Sequence, residues 1–492
     1  MKKEKKKKNL LKSIGDGFKS FGKSFTDFFK DFGVAVAKGD FGVKASLLIM
    51  GAGYFAKRQV IKGIIMTLVE AAFVLMCMFY AAPSLAQFGT LGTVQLEQTF
   101  DPITMQSTLN DYDNSFTILL NSIISIFLIF VFIITYMQNM KAVYRLQKMD
   151  ENGKHINTFK EDLADMFGAK FHITLLSLPT IGVILMNIIP ILVLIAVAFT
   201  NYDQNHMPPS ALFTWVGVKN FTNLFSNTVT SSFSYAFGKV LGWTLVWAVL
   251  ATLTTFIGGI LLAKLINNKA TKLPKLWRTL FVISIAVPQF VTLLLVRNFF
   301  GDSGIVNTIC SNIGVTEFLK NMGLVAENLT YIPFLTDPHW AKVMIVLINI
   351  WVGVPYQMLI ATGVLMNIPE DQLESARIDG ANKFQIFWKI TMPYILFIQG
   401  PVLITDFVKN INNFNVIYLL TQDIYITPDQ ALANANAKEV DLLVTWLFRL
   451  TNEYYNYKMA SVIGIIVFVI CAIFTLLSFS RMIAGNREEE LR

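Results

Sequence analysis

Residues 367–393 read NIPEDQLESARIDGANKFQIFWKITMP, a polar, amphipathic island between two long apolar runs. Pro369 suits the first turn of a helix, and Glu370 and Asp371 complement the positive end of its dipole. Leu373, Ala376 and Ile378 supply a short apolar stripe. Gly380 stands where that helix is expected to stop, because glycine adopts a left-handed C-cap without a Cβ penalty. A second short helix over 383–391 leads to Pro393. The stretch thus predicts a helix, a glycine turn and a second helix that enters a membrane, and by form alone it also fits an ordinary connector between spans.

The flanking apolar runs are part of a wider pattern. With 54% hydrophobic residues over 492 positions and a mean hydropathy of +0.53, the chain is too apolar for an ordinary soluble protein. Its 41 phenylalanines and 15% charged residues agree with helices that face lipid, so the expected class is an all-α polytopic membrane protein. The net charge of +8 gathers at ends and loops, which speaks of membrane orientation and not of nucleic acid. Cys77, Cys310 and Cys471 are far apart and spell no metal or redox motif, which leaves packing as their role. The lysine-rich head at Met1 lacks an apolar run directly behind it, so a cleaved secretory signal is not expected.

About eight spans of the ~20-residue length that a bilayer demands can be read. They centre on 64–82, 116–137, 173–199, 240–265, 276–296, 343–366, 394–416 and 459–479, and polar residues invade the second half of the seventh. Lysine and arginine set the orientation. Lys57, Arg58 and Lys62 precede the first span, the segment 83–115 carries neither residue, and Lys141, Arg145, Lys148, Lys154, Lys160 and Lys170 follow the second. By alternation both termini and the loop around Glu374 are expected in the cytoplasm. Residues 10–56 are too short in apolar reach to span. Phe18, Phe21, Phe25, Phe28, Phe29 and Phe32 alternate with lysines there, as in a segment lying on the inner leaflet in contact with lipid. Pro190, Pro288, Pro355 and Pro401 punctuate the spans, which fits broken helices around a wet cavity as well as simple kinks.

Two neighbouring spans carry polar stripes. Asn349, Gly353 and Tyr356 recur at helical spacing in the sixth, and Asp406, Asn410 and Asn413 in the seventh, with Lys409 and Asn412 beside them. Amides and ions are costly in hydrocarbon, so such stripes face the bundle interior or water. Either they hydrogen-bond between helices, or they form a sugar site. A sugar needs amides that donate and accept, an aromatic face and a glycine that admits the ligand. Asp406 and Lys409, one turn apart, are expected to pair because a lone buried charge is costly, the alternative being that Lys409 points a charged donor into the cavity; together with Glu70 in the first span they also leave an ion-coupled secondary sugar transporter open, although no internal repeat supports it. Asp111 and Asp113 are the best candidates for a metal-binding pair in a membrane enzyme, but with no histidine or further acids nearby they read as a solvated loop, so no metal and no catalytic residue is assigned.

Within the opening stretch, Glu374-Ser375-Ala376, Gly380 after three residues, and Ile390-Thr391-Met392-Pro393 after nine more resemble the EAA loop of the membrane subunits of binding-protein-dependent ABC importers. Ser375 and Met392 depart from that pattern conservatively. From about Ile173 to the end, including Trp215-Val-Gly-Val-Lys-Asn-Phe221 and Val440-Asp-Leu-Leu-Val-Thr-Trp-Leu-Phe-Arg-Leu-Thr451, the chain looks like the larger permease subunit of maltose and maltodextrin importers.

That resemblance implies a six-helix permease core over 173–480 with its docking loop at 367–393. A basic amphipathic segment over 1–60, two accessory helices over 61–137, a cytoplasmic loop over 138–172 and a tail over 481–492 complete the chain. It implies sugar contacts at Asn349, Gly353, Tyr356, Asn410 and Asn413, and an aromatic at 409, where this chain has lysine. Glu374, Ala376 and Gly380 become the ATPase-docking residues. The chain is read as having no GxxxxGK[ST] stretch to cradle ATP phosphates. The chain is therefore expected to be no enzyme and to hold no cofactor. Two copies of a separate ATPase would bind the ATP, and a second permease subunit, an extracytoplasmic sugar-binding protein and an oligosaccharide would complete the system in a bacterial cell membrane.

Overall fold

The computed structural model describes residues 22–23, 26–101, 106–225, 232–268, 270–422 and 424–489. Helices dominate, and the described residues contain one antiparallel ribbon, Gln98–Asp101 with Gln106–Leu109. Among the described residues seven helices are long and apolar enough to cross a membrane, and one bent pair makes an eighth candidate. The chain divides into two compact units, Met1–Val218 and Lys219–Arg492.

The first unit holds the first span (Val60–Ala86), the second (Ser115–Glu151) and the third (Phe171–Val197). Asn114 starts the second span by accepting from the amides of Phe116 and Thr117, both at 3.1 Å. Phe73 and Phe132 stack with centroids 3.6 Å apart, and Tyr80 donates to Asn121 at 3.0 Å, so the first two spans lie side by side.

Of the amphipathic segment expected over 10–56, Phe18, Phe21 and Phe25 lie outside the described residues, and Phe28, Phe29 and Phe32 sit on a helix over 26–38. Residues 39–56 do more than float on a surface. The short helices Phe41–Ala45 and Ala52–Ala56 fold onto the lysine-rich ends of the first two spans. The Met50 amide donates to Glu70 at 2.8 Å, and the Met50 carbonyl accepts from Asn139 at 2.9 Å. Val43 and Met50 are fully buried, whereas Phe41 and Leu48 point outward. Glycine makes the docking possible, since a Cβ at Gly51 would lie 2.2 Å from the Gly63 carbonyl oxygen.

Three spans contain a π-helical turn, at Cys77–Ala81, Ile184–Ile188 and Phe387–Thr391. Each ends two residues before a proline: Pro83, Pro190 and Pro393. A proline lacks an N–H and its ring crowds the carbonyl four residues back, so the preceding turn widens.

The second unit contains the fourth span (Ser232–Ile266), the sixth (Pro338–Met366), the seventh (Lys383–Thr421) and the eighth (Tyr457–Met482). The fifth, read from sequence as one span over 276–296, is instead broken into Pro274–Ala286 and Gln289–Phe299, bent by 93°. Pro288 is the cause: it pushes Val287 into an extended conformation (φ −74°, ψ 126°) and cannot donate the next helical bond. The seventh is broken too, because Met392–Ile411 stops at Asn412 and Asn413 begins Phe414–Thr421.

The fourth and sixth spans approach through glycine. A Cβ at Gly258 would meet Val354 Cγ2 at 2.7 Å, one at Gly353 would meet Thr255 Cγ2 at 2.7 Å, and one at Gly259 would meet Gln357 Cβ at 2.4 Å and its carbonyl carbon at 2.7 Å. Between these contacts Trp247, Ala251, Ile260, Ile345, Ile348, Met358 and Ala361 are buried. At the end of the bundle opposite the 367–393 loop, Arg449 grips the buried Asp441 with two bonds of 2.9 and 3.0 Å, and Trp446 donates to the Ala435 carbonyl at 3.0 Å. These bonds fix the connector between the seventh and eighth spans.

The glycine contact makes a direct forecast. Gly259→Ala places a methyl against immovable backbone and is expected to destabilise by roughly 1–3 kcal/mol. Gly242→Ala, on the same span with nothing within 4 Å of its Cβ, is expected to be neutral or stabilising. Apparent Tm of the two purified variants in detergent decides this; equal values would contradict the packing described.

Candidate functional site

A cavity of about 600 Å³ opens half-way along the sixth span, and Asn349, Gly353, Tyr356, Asp406, Lys409, Asn410 and Asn413 all line it. The break in the fifth span supplies Ser284, Pro288 and Gln289 to its wall, and the fourth span supplies Thr255. The two polar stripes and the bend therefore converge on one place.

The lining residues divide by what already binds them. Asn410 is committed to the protein: its amide donates to Thr252 Oγ1 at 3.0 Å, and its carbonyl accepts from Trp247 Nε1 at 3.0 Å. Asn413 reaches Asn410 Oδ1 at 3.4 Å and accepts from the Val416 amide at 3.4 Å. It caps the helix beyond the break and does not continue a stripe on one unbroken helix. Asn349 is buried, and its amide has no hydrogen-bond partner among the described residues. Tyr356 is half exposed with its ring toward the cavity, and its hydroxyl is likewise unengaged among the described residues.

Two readings from sequence change. Gly353 was expected to make room for a ligand, but the space a Cβ would take is filled by Thr255, so this glycine serves the contact between spans. Asp406 and Lys409 were expected to pair, but the Asp406 carboxylate accepts from Gln357 Nε2 at 2.5 Å. No carboxylate oxygen lies within 4.0 Å of the Lys409 ammonium among the described residues. A neutral amide satisfies the acid, and the lysine keeps its hydration by extending into a polar cavity.

Gln357 and Gln289 were missed. Gln357 lies one turn beyond Gly353 on the same face, so the periodicity that identified Asn349 would have found it. Gln289 follows the proline that breaks the fifth span, and only the bend brings it within 3.4 Å of Asn415.

The 367–393 stretch folds as its sequence indicates. Helix Glu370–Ile378 ends at Gly380, whose φ of +81° is the left-handed conformation that favours glycine. Asn382 and Gln385 then form a capping box for Lys383–Ile386. Glu374 and Gly380 are exposed, and Ala376 lines a groove of about 480 Å³ with Asp371, Ser375, Asp379 and Ile390. The Lys264 ammonium sits 4.1 Å above the Phe387 ring, tying the exit of this stretch to the fourth span.

Other acids are engaged structurally. Asp113 accepts from the amides of Thr93 at 2.8 Å and Val94 at 3.0 Å, and these bonds hold its carboxyl below its ordinary pKa. Among the described residues no group of three or more His, Cys, Asp or Glu is placed to hold a metal ion. Residues 17–24, GFKSFGKS, do spell the GxxxxGK[ST] pattern, contrary to the reading that the chain has no such stretch. Most of them lie outside the described residues, but Gly22 and Lys23 are helical and the sequence before them is a lysine-rich head, not the apolar strand that a phosphate loop follows.

The family described as binding-protein-dependent transport system inner membrane component matches residues 255–485. The maltodextrin transport system permease protein MalC of Streptococcus pneumoniae is 32% identical over 451 residues, which cover 91% of this chain and 97% of that protein. The maltodextrin transport system permease protein MdxF of Bacillus subtilis is 33% identical over the same shares. The galactooligosaccharides transport system permease protein GanP of Bacillus subtilis is 33% identical, covering 86% of this chain and 93% of that one.

Asn349 and Asn410 differ in what their removal leaves behind. Asn410→Ala strips Thr252 of its partner and loosens the seventh span, at an expected cost of roughly 1–3 kcal/mol. Asn349→Ala removes an amide that nothing in the protein uses, so its apparent Tm is expected to match that of the wild type. Thermal unfolding of both variants checks the distinction.

Proposed function

This chain belongs to the binding-protein-dependent transport system inner membrane component family, and we propose that within it the chain is the ABC importer permease subunit that carries maltodextrin-like oligosaccharides into the cell. The observation that carries this reading is the cavity, in which unengaged Asn349 and Tyr356 present an amide and an aromatic face half-way along a membrane span. A glycosyl unit needs those groups, because its hydroxyls both donate and accept while its ring faces are apolar. MdxF and GanP are each 33% identical to this chain, so overall identity does not by itself separate a maltodextrin from a galactooligosaccharide.

The energy comes from a partner. Glu374, Ala376 and Gly380 form the surface to which a nucleotide-binding ATPase docks, with Glu374 pairing to a basic residue of that subunit. The alternation of lysine-rich and lysine-free segments supports a cytoplasmic position for this surface and for both termini. One docking loop per chain calls for a second permease subunit and two ATPase copies, and an extracytoplasmic binding protein delivers the sugar. Ion coupling finds no support: Glu70 accepts from the Met50 amide and Asp406 from Gln357, so both acids behind that alternative have protein donors.

Uptake of a labelled maltooligosaccharide by cells expressing the whole system tests the cavity. Asn349→Ala and Tyr356→Ala are expected to lower uptake on the order of ten- to a hundredfold, corresponding to roughly 1–3 kcal/mol, with the complex intact. Wild-type uptake in both variants would remove the cavity from the sugar path.

Docking is tested by co-purification. Glu374→Ala is expected to release the ATPase while the permease still inserts. Gly380→Leu is expected to act the same way through its backbone, since space around that residue is open and only its positive φ resists a side chain. Retained ATPase in both variants would contradict the assignment.

A further inference from the structure

Residues 40–58 leave the lysine-rich end of the first two spans and come back to it. Lys57 closes the excursion at its base, with its ammonium 3.1 Å from Asp40 and 2.9 Å from Asp150. Between Lys44 and Lys57 the residues ASLLIMGAGYFA carry no charge. The second span measures how far they travel. The Asp40 amide donates to Gln147 Oε1 at 2.9 Å, whereas the Leu47 carbonyl accepts from the Tyr136 hydroxyl at 2.9 Å. Gln147 and Tyr136 lie on one helix and are separated by about 16 Å along it.

The turning point lies below the charged layer. On the first span the run 63–82 makes about 30 Å of helix, the thickness of a bilayer's hydrocarbon core, and Glu70 is its one charged residue. Glu70 stands about 10 Å inside that run, and it accepts from the Met50 amide at 2.8 Å. On the second span Asn139, on the membrane side of Lys141, donates to the Met50 carbonyl at 2.9 Å. Residues 46–51 turn without forming a helix, and within the turn Ser46 Oγ accepts from the Gly53 amide at 2.7 Å. Backbone of this kind is tolerated at membrane depth only where protein groups satisfy it, and Glu70, Asn139 and Tyr136 do so from inside the spans. A loop in water would need none of them. The outward side of the turn is apolar: Leu48 is 84% exposed, with Leu47 and Ile49 exposed beside it. Gly51 packs against Gly63 and Thr67, which sets this turn at the height of the exposed Ile64, Ile65 and Leu68 of the first span.

We propose that residues 40–58 form a re-entrant hairpin that enters the leaflet on the lysine-rich side and returns, with the tip at 47–49 in contact with lipid acyl chains. Glu70 and Asn139 are the positioning residues that hold Met50 at depth. Acyl chains are the occupant because the tip shares its height with the lipid-facing side chains of the first span and continues their apolar surface. The hairpin is therefore a wedge between charged base and hydrocarbon, unlike the flat surface segment that the sequence suggests. It also gives the carboxylate inside the first span a task, the capture of a backbone amide where water is absent. Nothing in this inference depends on the path of the sugar.

The test uses the assembled importer in nanodiscs of phosphatidylcholine and phosphatidylglycerol, with Cys77, Cys310 and Cys471 replaced by alanine and cysteine-free partners. A bimane label at Leu48→Cys is compared with one at Phe41→Cys, which is 88% exposed but stands beside the base. The quenchers are nitroxides on the lipid acyl chain, nitroxides on the headgroup, and aqueous iodide. At Leu48 the acyl-chain nitroxide is expected to quench about threefold more than the headgroup nitroxide, with iodide ineffective, and at Phe41 the headgroup nitroxide is expected to quench more. Equal depth at the two positions overturns the hairpin in favour of a segment lying flat. Strong iodide quenching at Leu48 overturns it in favour of a loop in water. A Leu48 label shielded from all three quenchers overturns it in favour of a covering protein. In Glu70→Ala/Asn139→Ala the Met50 backbone loses both partners, and iodide quenching at Leu48 is expected to rise about threefold. Glu70→Gln still offers an oxygen and is expected to keep the label at its wild-type depth. A double variant whose Leu48 label stays at that depth overturns the positioning role of Glu70 and Asn139.

Discussion

The close approach of the fourth and sixth spans is the constraint on which the second unit depends. In a bilayer no hydrophobic gain drives helix against helix, because lipid tails are as apolar as leucine, so contact relies on small residues that let backbones meet. Gly258, Gly259 and Gly353 occupy the meeting line, and each faces a larger group of the other span. That contact sets the wall against which the seventh span leans through Asn410 and Trp247, and it fixes Gln357, which in turn holds Asp406. A cavity with unengaged amide and hydroxyl groups persists beside this contact because the broken fifth span turns away at Pro288.

The seventh span joins the two functional surfaces. It emerges from the 367–393 stretch through a π-helical turn and runs as Met392–Ile411, about 30 Å of helix at 1.5 Å per residue. Its first turns are tied to the loop by Tyr394, which donates to the Asn367 carbonyl at 3.2 Å, and by the Lys264–Phe387 contact. Its last turns carry Asp406, Lys409 and Asn410. The helix runs through Pro401 without ending, so one element carries both the exit of the loop and the cavity residues.

The sequence made legible whatever depends on local pattern. Hydropathy located the spans, helix-end chemistry located the turn at Gly380, and polar periodicity selected residues that share one cavity. What it did not reveal depends on neighbours. Gly353 looked like room for a ligand because Thr255 is distant in sequence, and Asp406 looked like the partner of Lys409 because Gln357 lies on another helix. The segment around Met50 looked like a surface helix because its acceptor, Glu70, sits inside a span. The breaks at Pro288 and Asn412 were half visible: the residues were noted, but periodicity assumes a helix that continues, and only packing decides whether a proline kinks a span or ends it. The π-helical turns before Pro83, Pro190 and Pro393 do have a local signal, the proline two residues beyond each turn.

The central claim is that sugar passes through the space between the sixth and seventh spans. A density map of the assembled importer with a maltooligosaccharide bound tests it most directly. The account predicts a glycosyl unit within hydrogen-bonding distance of Asn349 and Tyr356. Sugar density elsewhere along the complex, with Asn349 turned to a protein partner and the cavity filled by side chains, would contradict it.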